Sequence, residues 1–202
     1  MENNNLRKSY VEYHEIIECI ASALDAKDQN TANHSQRVSD MALIICNLMG
    51  FNAEDTEKIH IAAHLHDIGK IGVPDYILNK TSKLDASEWE LIKKHPVTGA
   101  QILNKSSKLS ELSSIVRHHH ERFDGKGYPD GLEGASIPVG SRIIAICDSI
   151  DAITNYRTYR EARDLTFCYR EIEKNLGLMY DPMIGRFVLE HWSDITDVSI
   201  GN

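Results

Sequence analysis

The chain is poor in cysteine. Four in 202 residues, Cys19, Cys46, Cys147 and Cys168, are scattered with no CxxC spacing, which argues against a disulfide framework and a thiolate zinc site. In Ile44-Ile45-Cys46 and Ala145-Ile146-Cys147 they read as small core residues, in keeping with a reducing compartment. No apolar run approaches the ~20 residues needed to cross a bilayer. The start, Met1-Glu2-Asn3-Asn4-Asn5, has no signal-peptide character. A soluble, cytoplasmic protein is the expectation, although a longer parent chain could still be membrane-bound. Positive charge is also scarce. Lys and Arg number 22 against 30 Asp and Glu, a net charge of -8, which speaks against binding a nucleic-acid polymer. A small anionic ligand needs only a few cations and stays open. There is no internal repeat, no low-complexity segment and no convincing strand pattern.

What is present is helical periodicity. Tyr10, Tyr13, Ile16, Ile17, Ile20 and Leu24 recur at three- and four-residue spacing. The polar stretch from Asp28 to Thr31 then offers an N-cap. Further helices are predicted from about Asn33 to Met49, closed by Gly50, and from Ala53 to about Ile68, broken by Gly69, Gly72 and Pro74. Ser87 and Glu90 form a capping-box pattern, and Pro96 suits the first turn of a helix. Helices are also predicted from Leu109 to about Glu121, Ser141 to Thr154, Thr166 to about Leu176 and Pro182 to about Trp192. Asp124 to Gly140 is rich in Gly, Pro and Asp and reads as a long functional loop. The fold class expected is all-α, a helical bundle with a metal site between helices.

The chemistry is concentrated in histidine and aspartate. His66 and Asp67 are adjacent, with His34 upstream and His95, His118-His119-His120 and Asp148 downstream. Neutral imidazole and carboxylate suit Zn, Mn, Fe and Ni. So many ligands exceed the needs of one ion, and two ions bridged by Asp67 are the natural reading. Such sites suit in-line displacement at phosphorus. At most two of the three consecutive histidines can point into one site. His60 and His64, one turn apart, can also bind a metal, but exposed or hydrogen-bonded core histidines are the expectation. Lys70 can contact a phosphate or end a helix in solvent. Arg157 and Arg160 can clamp phosphate or form a solvated basic face. The loop from Asp124 to Gly131 can approach a ligand and offer the Tyr128 ring for stacking, or be a surface turn.

Several ordered motifs together resemble the HD-GYP family, a branch of the HD superfamily. They are Thr31-Ala32-Asn33-His34 with Arg37 and Val38, the run from His66 to Asp75, and His95-Pro96 with Gly99. His119-His120-Glu121, Asp124-Gly125 with Gly127-Tyr128-Pro129, and Ile137-Pro138 follow. Arg142, Asp148, Asp151 and Ala152, then Tyr156, Arg157 and Arg160, complete the set. The resemblance spans about Asp25 to Phe187. It implies residues 1–24 as an N-terminal helix or extension, 25–195 as the catalytic domain and 196–202 as a frayed tail.

The resemblance also implies roles. His34, His66, Asp67 and Asp148 would ligate one metal, and Asp67 would bridge to a second held by His95, His119 and His120. Asp67 and Lys70 would be catalytic. Lys70, Arg157, Arg160 and the loop residues Gly127, Tyr128 and Pro129 would meet substrate. The activity implied is hydrolysis of cyclic di-GMP to pGpG, either stopping there or cutting again to GMP, by water activated between two divalent ions, Fe or Mn ahead of Zn or Ni. Asn30 stands where some members place a glutamate for a third metal, so two metals are expected. The alternatives are another cyclic dinucleotide such as cyclic GMP-AMP, or a cyclic di-GMP sensor or interaction domain. Possible partners are a diguanylate cyclase at the Gly-Tyr-Pro loop and a second copy at the N-terminal helix.

Overall fold

A computed structural model of the chain describes residues 2–28, 33–155 and 164–200, and the side chains of 14–28, 33–155 and 164–197. Asn30, Arg157 and Arg160 lie outside the described residues. The fold is all-α. The helices are α1 (Glu2–Lys27), α2 (His34–Leu48), α3 (Ala53–Leu65), α4 (Asp75–Leu78), α5 (Ala86–Ile92) and α6 (His95–Leu103). They continue as α7 (Ser113–Arg117), α8 (Val139–Thr154), α9 (Leu165–Lys174), α10 (Pro182–Glu190) and α11 (Trp192–Ile200). Among the described residues there are two isolated bridges and no strand.

The core forms where α2, α3 and α8 meet. Val38, Met41, Ala42 and Ile45 of α2 interlock with Ile59, Ala62 and Ala63 of α3 and with Ile143, Ile146, Cys147 and Ile150 of α8. Each buried aliphatic side chain of this size contributes about 1.5–3 kcal/mol. The helix starts are specified locally. Asn52 accepts from the Asp55 amide at 2.9 Å, and Glu54 and Asp55 complement the positive end of the α3 dipole. A second, smaller cluster of Val73, Ile77 and Leu78 sits under Leu84 and Ile92 and supports α4 and α5 beside the main body.

Several expected boundaries move. α3 stops at Leu65 rather than Ile68, and Ile68–Gly72 tightens into a 3-10 turn, because Gly69 and Gly72 favour helix poorly and Pro74 ends the run. The adjacent His-Asp pair therefore closes a helix instead of riding on one. The predicted helix from Leu109 to Glu121 shrinks to a 3-10 turn and α7. His118 to His120 leave it because the loop takes over their backbone, the Tyr128 amide donating to the His120 carbonyl at 3.2 Å. The capping box opening α5 is Asp85 with Glu88, not Ser87 with Glu90; the Ser87 hydroxyl instead donates to Asp85.

α1 runs unbroken past the boundary expected after Leu24. Ile17, Ala21 and Leu24 are buried, while Ile16 and Ile20 stay exposed, so only part of the predicted apolar set faces the body. Lys27 closes the contact by donating to the carbonyls of Ile71 and Val73, each at 2.9 Å. The tail expected to fray from 196 is helical to Ile200, anchored by buried Ile195 and Thr196.

Candidate metal centre

α2, the α3 terminus, α6, the turn after α7, and α8 converge on Asp67. This buried carboxylate has one oxygen toward each of two histidine groups. Oδ2 lies 3.4 Å from His66 Nε2 and 3.7 Å from His34 Nε2. Oδ1 lies 3.2 Å from His95 Nε2 and 3.9 Å from His119 Nε2. Asp148 joins the first group, 3.4 Å from His34 Nε2, and His120 joins the second. The predicted ligand residues thus gather as His34, His66 and Asp148 on one side and His95, His119 and His120 on the other, with Asp67 between. His118 turns away and pairs with Asp130 at 2.9 Å.

Ring orientation shows what this cage can hold. The Nδ1 atoms of His66, His95 and His119 each bond the carbonyl three residues earlier, Ala63 at 2.7 Å, Ile92 at 2.8 Å and Val116 at 2.7 Å. A carbonyl only accepts, so each Nδ1 carries the proton and each neutral ring presents a bare Nε2. His34 Nδ1 is likewise committed, 2.6 Å from Asp151 Oδ2. Yet the Nε2 atoms of His34 and His66 face each other at 3.3 Å, as do those of His95 and His119. Two nitrogens bound to one ion at about 2.1 Å lie roughly 2.9–3.4 Å apart. The donor set therefore fits a divalent cation on each side.

Electrostatics agree. Burial, with neighbouring histidines, pushes His119 down to about 3 and His120 well below its usual range, and burial also lowers His66. These rings are neutral, the form that ligates metal. Burial opposes charge on His34, but the Asp151 hydrogen bond and nearby Asp148 raise it overall. Burial likewise opposes the Asp67 carboxylate, yet the Lys70 ammonium beside it holds it well below the usual range. Lys70 lies 2.7 Å from Asp67 and 3.0 Å from Asp28; against its burial, these carboxylates raise its pKa and keep it cationic.

The centre forms one wall of a cleft of about 560 Å³. Lys70, His95, His120, Tyr128 and Asp148 line it together with Lys80, Lys83 and Trp89 from the α4–α5 segment. Tyr128 packs on His120 with ring centroids 4.9 Å apart and stands edge-on to Trp89 at 6.5 Å. Gly127 is required by the fold of the loop itself. A Cβ there would lie 2.3 Å from the Arg122 nitrogen and 2.4 Å from the Glu121 Cα, so the glycine lets the loop cross its own chain. The HD-domain family signature matches residues 18–184.

This chain belongs to the HD-domain family. With its Gly-Tyr-Pro loop and its relatives, this HD domain sits in the HD-GYP branch. A cyclic di-GMP phosphodiesterase of Thermotoga maritima is 39% identical over 186 residues, covering 91% of this chain and 50% of the relative. The 3′3′-cGAMP-specific phosphodiesterase 2 of Vibrio cholerae is 36% identical over 182 residues, covering 89% of this chain and 35% of that protein. The HD domain described here thus spans half or less of the length of these curated relatives. In fold it resembles the crystal structure of the V. cholerae cyclic GMP-AMP phosphodiesterase V-cGAP3, with a TM-score of 0.69 at 18% identity, over 92% of this chain and 52% of that one.

Three supporting residues of the HD centre were not assigned roles from sequence. Asp151 is buried between His34 and Arg37, whose Nε donates to Oδ1 at 2.5 Å. Its spacing of three from Asp148 on a helix was the available signal. Buried Glu121 accepts from the amides of Asp130 at 2.7 Å and of Gly131 and Leu132 at 3.1 Å, fixing the loop that carries Tyr128. Asp28, which also lines the cleft, holds Lys70 at 3.0 Å.

Proposed function

We propose that the domain hydrolyses cyclic di-GMP to pGpG using two divalent ions at the Asp67 centre. The observation that carries this is the placement of Asp67, with one oxygen toward each histidine group. His34, His66, Asp67 and Asp148 would hold one ion, and Asp67, His95, His119 and His120 the other, with iron or manganese ahead of zinc or nickel. Bound there, the ions would supply Lewis acidity and lower the pKa of water enough to provide a nucleophile near neutral pH.

The chain's own side chains do the rest. Lys70, kept cationic and steered by Asp67 and Asp28, would offset charge on the non-bridging phosphate oxygens. Tyr128 and Trp89 would offer aromatic surface to a guanine, while Gly127 and Pro129 fix the ring's position. Arg157 and Arg160 are proposed to reach the second phosphate or a base. Asp151 would hold His34 in the ligating tautomer. The inward packing of the Tyr128 ring favours a role in the cleft over docking a diguanylate cyclase. No helix among the described residues is long and apolar enough to cross a membrane, and we propose a cytoplasmic setting.

The test is product analysis after incubation with cyclic di-GMP and Mn²⁺ or anaerobic Fe²⁺. Appearance of pGpG, lost in Asp67→Ala, supports the reading; full turnover by that variant refutes it. Cyclic GMP-AMP is the second reading, favoured by the V. cholerae relative. It shares the backbone and differs at one base, so competition between the two substrates decides.

A further inference from the structure

A second histidine cluster lies outside the Asp67 centre and shares no residue with it. His14 of α1 and His60 and His64 of α3 each bring one ring nitrogen within 4.8 Å of the other two. The ring centroids are 4.8 to 5.2 Å apart. The cluster repeats the signature of the main centre. His60 Nδ1 donates to the Ser39 carbonyl at 3.0 Å, which leaves its Nε2 bare. That Nε2 faces His14 Nε2 at 2.9 Å, while His14 Nδ1 is directed at the Glu18 carboxylate 3.4 Å away. Orienting the far nitrogen through a carbonyl or a carboxylate is how metal-ligating histidines are held.

His64 supplies the second observation. It is 1% exposed, and neither ring nitrogen has a hydrogen-bond partner. A buried ring whose nitrogens lack partners is destabilising. Hydrogen-bonded or exposed core histidines, the expectation from sequence, describe His60 but not His64. The charged groups nearby are acidic, Glu18 on α1 and Asp40 on α2. Beside His64, a pocket of about 320 Å³ bordered by Glu18 and Asp25 leaves room for a water molecule.

We propose that His14, His60 and His64 form a further metal site that takes one zinc-class divalent cation and clips α1 onto α3. Imidazole is a good ligand for zinc, and three imidazoles with a water complete its tetrahedral shell. The ion would link residues 46 positions apart and tether the N-terminal helix to α3.

The test counts metal. Metal-free full chain and its His14→Ala variant are dialysed against the same Zn²⁺ solution, and bound zinc is measured by mass spectrometry. The wild type should hold one more zinc per chain than His14→Ala, and zinc should raise its Tm by about 5 °C more. Co²⁺ should give tetrahedral d–d absorption bands that lose one ion's share in the variant. His14 is a quarter exposed, so the fold should survive; His14→Gln repeats the count if circular dichroism shows otherwise. Cyclic di-GMP hydrolysis should not change, which separates this site from the Asp67 centre. Equal zinc counts in wild type and variant overturn the proposal, whatever the main centre holds.

Discussion

Gly69→Ala tests how tightly the fold sets the metal centre. Gly69 lies where the 3-10 turn after Asp67 crosses the start of α6. A Cβ there would sit 1.8 Å from the His95 carbonyl oxygen and 2.5 Å from the Gly99 nitrogen. A relaxed carbon–oxygen contact needs about 3.3 Å, so the two segments must part by roughly 1.5 Å. One carries Asp67 and the other His95, at present 3.2 Å apart. Overpacking of this kind costs about 3 kcal/mol, equivalent to a Tm drop of roughly 6–12 °C for a chain of this length. Misplacing a reacting group by ~1 Å can cost 10²-fold in rate. The expected result is a folded protein that melts earlier, binds Mn²⁺ more weakly in calorimetry and turns over cyclic di-GMP about 100-fold more slowly. Wild-type melting together with wild-type Mn²⁺ affinity would refute the argument, independently of which substrate is correct.

Asp151→Asn removes the charge between His34 and Arg37. Metal affinity should fall about 10–100-fold, read by Mn²⁺ titration, and an unchanged isotherm would contradict the positioning role. Glu121→Gln forces an amide NH₂ against a backbone N–H of residues 130–132 in either rotamer. It should cost roughly 1.5–3 kcal/mol and raise KM more than it lowers kcat, since the Tyr128 loop loosens; an unaltered KM would count against this. In metal-free protein, His64 and His119 stay neutral down to about 3, whereas the unfolded chain protonates them near 6.5. Their contribution to stability is therefore complete above pH 6.5 and lost as pH falls. Each costs about 1.4 kcal/mol at pH 5.5, reduced in sum by His34, whose raised pKa works the other way. Melting at pH 5.5 should come about 5–10 °C below that at pH 7.5, and a flat profile would show the rings to be solvated.

The helical core was legible because α2, α3 and α8 bury one face each at regular spacing, as with Val38, Met41, Ala42 and Ile45. Ends were less so. Asp85 and Ser87 are both good caps, and only the tertiary position of Glu88 selects between them. The residues around Asp67 could be named from motif order, but not their supports. Glu121 and Asp151 were visible letters without a role, since the loop amides that Glu121 holds and the His34 and Arg37 side chains that Asp151 holds lie nine or more residues away. His14 left no trace at all in spacing. Its neighbours His60 and His64 come from another helix, and only packing brings them together.

Of the four histidines with a ring nitrogen within 4 Å of Asp67, three are oriented by the backbone carbonyl three residues earlier, and His34 alone depends on another side chain. Backbone carbonyls do not mutate. Substitutions at Ala63, Ile92 or Val116 can change shape and polarity while leaving the tautomers of His66, His95 and His119 intact. The centre is thus robust on one side and fragile on the other. A change that frees the His34 ring while sparing every ligand can be made at the single carboxylate behind it.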